Sequence, residues 1–262
     1  MNRSRTWLPL LAVFLFSSGI ARADEEGLAD RFEARTFKTR KGRVLQYRLF
    51  IPEGYDPEKS YPLVLWLHSG GGGGDDNVSQ ITRGSTRGAS LWARPEHQAR
   101  QPAFVVAPQC PRGGQWAGHK SGKPTRNLRA AVELIGALRE EFNVDGGRIY
   151  VVGQSLGGFG AWAAITHWPR LFAAAIPVCG GGNEALASRL VDEPIWAFHG
   201  ERDDAVNVGR SRKMIEAIRA EGGEPRYTEY PGAGHAIWPR VFREPQLVRW
   251  LFSQRNNRRP ER

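Results

Sequence analysis

Three residue types along this chain could together cleave an acyl bond: a serine between glycines, a carboxylate after a strand, and a histidine in a glycine-rich loop. The serine is Ser155 in VVGQSLGGFG, where the β-branched and aromatic run RIYVV stops and the small apolar segment LGGFGAWAAI begins. Gly153 and Gly157 lack Cβ atoms, so other backbone can pass close to a nucleophile held on a sharp strand-to-helix turn. Serine is a weak nucleophile at neutral pH and needs a base, and histidine is the side chain best matched to take and return its proton. His235 in PGAGHAIW follows the strand candidate PRYTEYPG, whereas His97, His119 and His167 lie in polar segments and His68 and His199 in strand-end turns suited to structural hydrogen bonds. The base in turn needs a carboxylate to fix its tautomer, and HGERDDAV offers Glu201, Asp203 and Asp204. The chain order is then Ser155, Asp203 or Asp204, His235, nucleophile before acid before base, which is not the order of the chymotrypsin or subtilisin types.

Developing negative charge on a reacting carbonyl needs donors fixed in advance. The N–H of Leu156, directly after the serine, is one, and the loop SGGGGG after PLVLWLH supplies a second whose amides are open to approach.

These residues need a frame. PLVLWLH, AFVVAP, RIYVVG, FAAAIPV and PIWAFHG are short, nearly continuous apolar runs, and helical segments such as TRNLRAAVELIGALREEF lie between them, with Pro124 expected in the first turn. The alternation predicts an α/β fold: a mostly parallel twisted sheet covered by helices on both faces. ARTFKTRKGRVLQYRLFIP reads as an antiparallel hairpin turning at Lys41-Gly42, with Phe50 interrupting its alternation. In such sheets ligands meet the carboxyl ends of the strands, where His68, Gln109, Ser155, Cys179 and His199 all fall.

The 262-residue chain opens with two arginines, an apolar run and Ala21-Arg22-Ala23, which reads as a signal peptide over residues 1–23 and a secreted or periplasmic protein. Its removal takes three arginines and lowers the formal charge from +10 to +7. Residues 24–262 are then expected to form one α/β domain with a disordered basic tail from about residue 254. The scattered Lys and Arg residues make no basic stripe and so no nucleic-acid surface, and no stable membrane insertion is expected after cleavage. No Cys/His set has zinc spacing and no phosphate-binding G-x-x-x-x-G-K-[ST] occurs, so neither metal nor cofactor is expected. Cys110 and Cys179 leave a disulfide open.

LVLWLHSGGGGGDDN, VVAPQCP with Trp116 following, RIYVVGQSLGGFGAW, AAAIPVCGGG, WAFHGERDDAV and YPGAGHAIW together resemble the secreted α/β-hydrolases near the polyhydroxybutyrate-depolymerase and feruloyl-esterase groups, from about residue 32 to 253. The resemblance implies Ser155 as nucleophile, Asp203 as acid, His235 as base, and the Gly70 and Leu156 amides as oxyanion donors. Those families place His-Gly after the first of these strands; here it is His68-Ser69. No insertion between Val178 and Pro194 is large enough for a lid, so the site is expected to be open, with Trp116 and Trp238 as aromatic walls and carboxylic esters as substrates. A serine peptidase of the same fold and a binding protein on a hydrolase scaffold are the alternatives.

Overall fold

The computed structural model describes residue 27 and residues 29–83 and 88–257, so the signal segment lies outside the described residues. Eight strands form one sheet: β1 Glu33–Lys38, β2 Val44–Phe50, β3 Tyr61–Leu67, β4 Phe104–Pro108, β5 Val144–Gln154, β6 Ala174–Val178, β7 Trp196–Gly200 and β8 Arg226–Tyr230. Their order is β1-β2-β4-β3-β5-β6-β7-β8; β1 with β2 and β2 with β4 are antiparallel, and every other pair is parallel. The hairpin turns at Gly42, whose φ of 79° is open to glycine.

The described helices are α1 Ser79–Thr82, α2 Gly88–Ala93, α3 Pro95–Gln98, α4 Arg126–Glu141, α5 Leu156–His167, α6 Gly209–Ala220, α7 Trp238–Val241 and α8 Leu247–Ser253. Strands alternate their side chains between two cores, because each face of the sheet is covered. Leu63, Leu65, Leu67, Ile149 and Val151 pack with α4, α5 and α6 on one face. Val64, Trp66, Tyr150 and Val152 pack with α2, α7 and α8 on the other. Continuous apolar strands are the consequence, and β3, β4, β6 and β7 are buried at every position. Phe50 breaks the alternation of β2 because it joins the second core, 5.5 Å from the ring of Phe32.

Two boundaries differ from the sequence expectation. Pro124 precedes α4 instead of entering its first turn; Thr125 is the cap, accepting from Asn127 N at 3.2 Å, while Pro124 bridges to Ala117. The chain is also docked beyond residue 254: Asn256 is buried, its side chain donating to Pro169 O and Phe172 O and its amide to Gly147 O, because the turn between α5 and β6 and the first residues of β5 offer those carbonyls as partners. No helix among the described residues is long and apolar enough to cross a membrane.

Candidate active site

Ser155 joins β5 to α5 with φ 55° and ψ −114°, a left-handed conformation that costs a non-glycine residue about 1–3 kcal/mol. The surroundings hold it there. Its amide donates to Val178 O at 2.8 Å and its carbonyl accepts from Phe159 N at 3.1 Å. Its hydroxyl makes no cap to the helix it begins, which leaves the group available for chemistry. Gly153 and Gly157 face each other so closely that a Cβ on Gly153 would collide with the Gly157 carbonyl, and one on Gly157 with Leu67 O at the end of β3. The glycines of the motif are therefore required by close approach of three backbone segments.

Asp203 lies in the turn after β7. Its side chain is fully buried; Oδ1 accepts from Ala205 N at 3.0 Å and Val206 N at 2.8 Å, while Oδ2 accepts from His235 Nδ1 at 2.7 Å. Burial acts to raise its pKa, but the Val206 amide and His235 outweigh it and hold the carboxyl below the ordinary carboxylate range. Bonding of Nδ1 to a carboxylate puts the proton of neutral His235 on Nδ1 and leaves Nε2 as the basic atom. Asp204 is exposed and takes no part. Gly200 and the loop before His235 approach closely, since a Cβ on Gly200 would strike Gly234 O and Ala233 O, and Arg202 N donates to Ala233 O at 2.8 Å. Cys179 closes the gap toward the serine: it follows Val178, the partner of Ser155 N, and its thiol lies 3.5 Å from His235 O.

The glycine-rich loop leaves β3 at His68, which is completely buried. Burial lowers its pKa to about 4. Its Nε2 accepts from Cys110 N at 2.9 Å, so Nδ1 carries the proton and donates to Ser69 O at 2.6 Å. Ser69 has φ −73° and ψ 176°, ordinary extended backbone, so serine in place of glycine is accommodated without strain. Gly70–Gly72 form a single 3-10 turn. Gln109 braces this loop by donating to Gly72 O at 3.1 Å and to Asp76 Oδ1 at 2.7 Å. Because Gly157 abuts Leu67 O, the loop starts beside the Leu156–Gly157 peptide, where free helix N-terminal amides lie.

The expected aromatic walls are not at the surface. Trp116 is fully buried in the core of the α4–α6 face; its indole N–H donates to His68 O at 3.1 Å and its ring meets the His68 ring edge-on at 5.1 Å. Trp238 is buried on the other face, 4.8 Å from Trp66 and 4.1 Å from Phe242. Burying rings of this size is strongly favourable, and both lie within the cores and not as walls of an open cleft. Cys110 and Cys179 are free and buried, each beyond the end of a strand, with two other strands between β4 and β6. Both thiols are pushed well above the ordinary range by burial.

Sequence reasoning passed over one set of residues here. Cys179, His199 and Asp203 bring their sulfur, nitrogen and oxygen within 4.8 Å of one another. The histidine and carboxylate atoms of this set are committed to hydrogen bonds within the fold. A cavity of about 750 Å³ lined by Tyr55, Asn143 and Arg255 lies at the opposite, N-terminal end of β5 and has no part in this site.

An elbow serine, a carboxylate-bound histidine and a glycine-rich loop at the carboxyl edge of this sheet define an α/β-hydrolase. The dienelactone hydrolase family profile matches residues 91–243, and the chain belongs to that family. It is 32% identical over 187 residues to a probable feruloyl esterase C of Aspergillus terreus, covering 68% of this chain and 62% of that protein. It is 26% identical over 262 residues to dipeptidyl-peptidase 5 of Porphyromonas gingivalis, covering 82% of this chain and 37% of that protein. A crystal structure of a thermostable esterase superposes with a TM-score of 0.83 at 40% identity, covering 87% of this chain and 64% of that one. The chain thus spans less than two thirds of each of these proteins.

Proposed function

We propose that the chain is a serine hydrolase that cleaves carboxylic esters through an acyl-enzyme, as a secreted or periplasmic protein whose first 23 residues are a signal peptide. The observation that carries this reading is the 2.7 Å bond from His235 Nδ1 to the buried Asp203 carboxylate, at the same sheet edge as the strained Ser155.

His235 Nε2 removes the proton of the Ser155 hydroxyl as Oγ attacks the ester carbonyl. Asp203 holds the ring and stabilises the imidazolium. The Leu156 and Gly70 amides receive the oxyanion, each donor worth roughly 3 kcal/mol of barrier. His235 returns its proton to the departing alcohol; water, activated by the same ring, then attacks the acyl-serine and releases the acid. These steps need no metal or organic cofactor.

The segment between β6 and β7 holds only the short 3-10 stretch Glu184–Leu190, which suits an open site for short-chain or bulky, sugar-linked acyl esters. Likeness to a feruloyl esterase C favours the same class. A serine peptidase is the second reading, favoured by likeness to a dipeptidyl-peptidase. The two separate on a panel of short-chain aryl esters, feruloyl and acetyl sugar esters and peptide amides, run with wild type and Ser155→Ala. Serine-dependent ester turnover is expected; turnover confined to amides supports the peptidase, and equal ester turnover by Ser155→Ala refutes both.

A further inference from the structure

We propose that His199 is a positioning residue for the triad acid: its Nε2–H, donated to Val206 O, is shared with Asp203 Oδ2 beside it, and Ser211 on α6 holds the ring in the tautomer that can do so. The inference rests on the triad reading above. His199 is the penultimate residue of the buried strand β7, and its side chain has no exposure. Its Nε2 lies 2.9 Å from Val206 O and 3.2 Å from Asp203 Oδ2. A carbonyl and a carboxylate oxygen can only accept, so the proton of a neutral ring must sit on Nε2. Burial disfavours the charged ring, which keeps it neutral.

Nδ1 is then an acceptor, and the structure places a donor on it. Ser211 Oγ is fully buried, 2.7 Å from Nδ1 and 3.1 Å from Gly180 O. The hydroxyl has one proton and two acceptors within reach, Gly180 O and Nδ1; shared with Nδ1, it favours the ring that carries its own proton on Nε2. Ser211, His199, Asp203 and His235 thus lie in one polar line: Ser211 bonds Nδ1 of His199, Nε2 of His199 approaches Oδ2 of Asp203 to 3.2 Å, and the same oxygen accepts from His235. The Oδ1 atom is held by the Ala205 and Val206 amides. With both oxygens fixed, the carboxylate plane cannot rotate away from His235.

The second donor also draws charge from Oδ2 and weakens its hold on the His235 imidazolium. Removing it leaves that cation more strongly stabilised, so the acid limb of kcat/KM moves to higher pH. The other ionisable groups around His199 are the Cys179 thiol, His235 and Glu229, its partner in register on β8, itself bound by Arg212 and Tyr227. None of these is altered by the substitutions below.

The test uses two amides of different reach. In His199→Asn the amide can meet Ser211 but stops short of Asp203; in His199→Gln the amide nitrogen extends to the position of Nε2. With an aryl acetate, His199→Asn is expected to lose about tenfold in kcat with KM nearly unchanged, and to shift the acid limb upward by roughly half a pH unit. His199→Gln is expected to restore most of both. Superimposable pH profiles for wild type and both variants, or equal losses in both without a shift, overturn the proposal. Should neither variant fold, Ser211→Ala is expected to shift the limb in the same direction, and an unchanged limb there also overturns it. Ser155→Ala measured alongside separates the two levels: if it retains full ester turnover the triad reading fails, whereas a Ser155-dependent reaction with an unmoved limb in His199→Asn sinks only the role of His199.

Discussion

Gly157→Ala tests the elbow where its geometry leaves least room. A Cβ there would lie closer than 3.0 Å to the carbonyl oxygen and carbon of Leu67 and 3.0 Å from His68 O. All three are backbone atoms at the end of β3, a strand paired on both sides by β4 and β5, so they cannot recede. The N-terminus of α5 must move instead. Overpacking costs about 1–3 kcal/mol, and a backbone collision belongs at the upper end. At about 2–4 °C per kcal/mol for a domain of this size, Tm falls by roughly 6–12 °C. Movement of α5 also carries the Leu156 amide away from the oxyanion, with an expected loss of about 10²-fold in kcat. Gly136→Ala is the matched control: Gly136 is exposed within α4 and a Cβ there meets nothing within 4 Å. It is expected to gain about 0.5–1 kcal/mol by helix propensity, raising Tm by about 1–4 °C with activity unchanged. Calorimetry and aryl-ester hydrolysis on the two proteins decide it. A Gly157→Ala enzyme with wild-type Tm and turnover, or a Gly136→Ala protein destabilised as much as Gly157→Ala, refutes the reasoning.

Asp203→Asn is expected to lower kcat roughly 10³–10⁴-fold and Asp204→Asn to change it little, measured on the same ester; the reverse ranking would reassign the acid. Stability is expected to fall as pH drops from 6.5 toward 4, because unfolded His68 takes a proton near 6.5 whereas in the fold burial delays this to about 4. At about 1.4 kcal/mol per unit, His68 removes about 2 kcal/mol by pH 5, read by urea unfolding at pH 7 and pH 5, and His68→Gln should flatten that slope. Both cysteines are buried, so a disulfide-exchange reagent such as DTNB should titrate neither thiol in the native protein and both after denaturation; rapid native reaction would contradict the packing at Cys110 and Cys179.

What could be read from the sequence was what local chemistry dictates. The stop of RIYVV at a glycine-flanked serine needs no distant partner, and the order of serine, carboxylate and histidine follows strand ends in sequence. Side chains whose direction depends on distant packing were not legible. Trp116 and Trp238 follow strand ends just as site residues do, yet contacts with His68, Trp66 and Phe242 turn them into the two cores. His199 read as a structural histidine, and it does make structural bonds, to Val206 O and Ser211; its approach to the Asp203 carboxylate depends on the turn after β7, and its link to Ser211 on how α6 lies against the sheet. A hint lay in the H-G-x-x-D spacing, which sets two ionisable side chains four residues apart across a tight turn. The docking of Asn256 had no signal in a polar tail, because its partners, Gly147 and Phe172, are more than eighty residues earlier.

Ser155 is the proposed nucleophile. Treating the folded protein with a fluorophosphonate ester and mapping the adduct by peptide mass spectrometry tests this without knowledge of the natural substrate. One phosphonyl group per chain, on Ser155, is expected, with ester hydrolysis lost in proportion to labelling. An unlabelled protein that still hydrolyses esters, or an adduct on another residue that accounts for the lost activity, would contradict it.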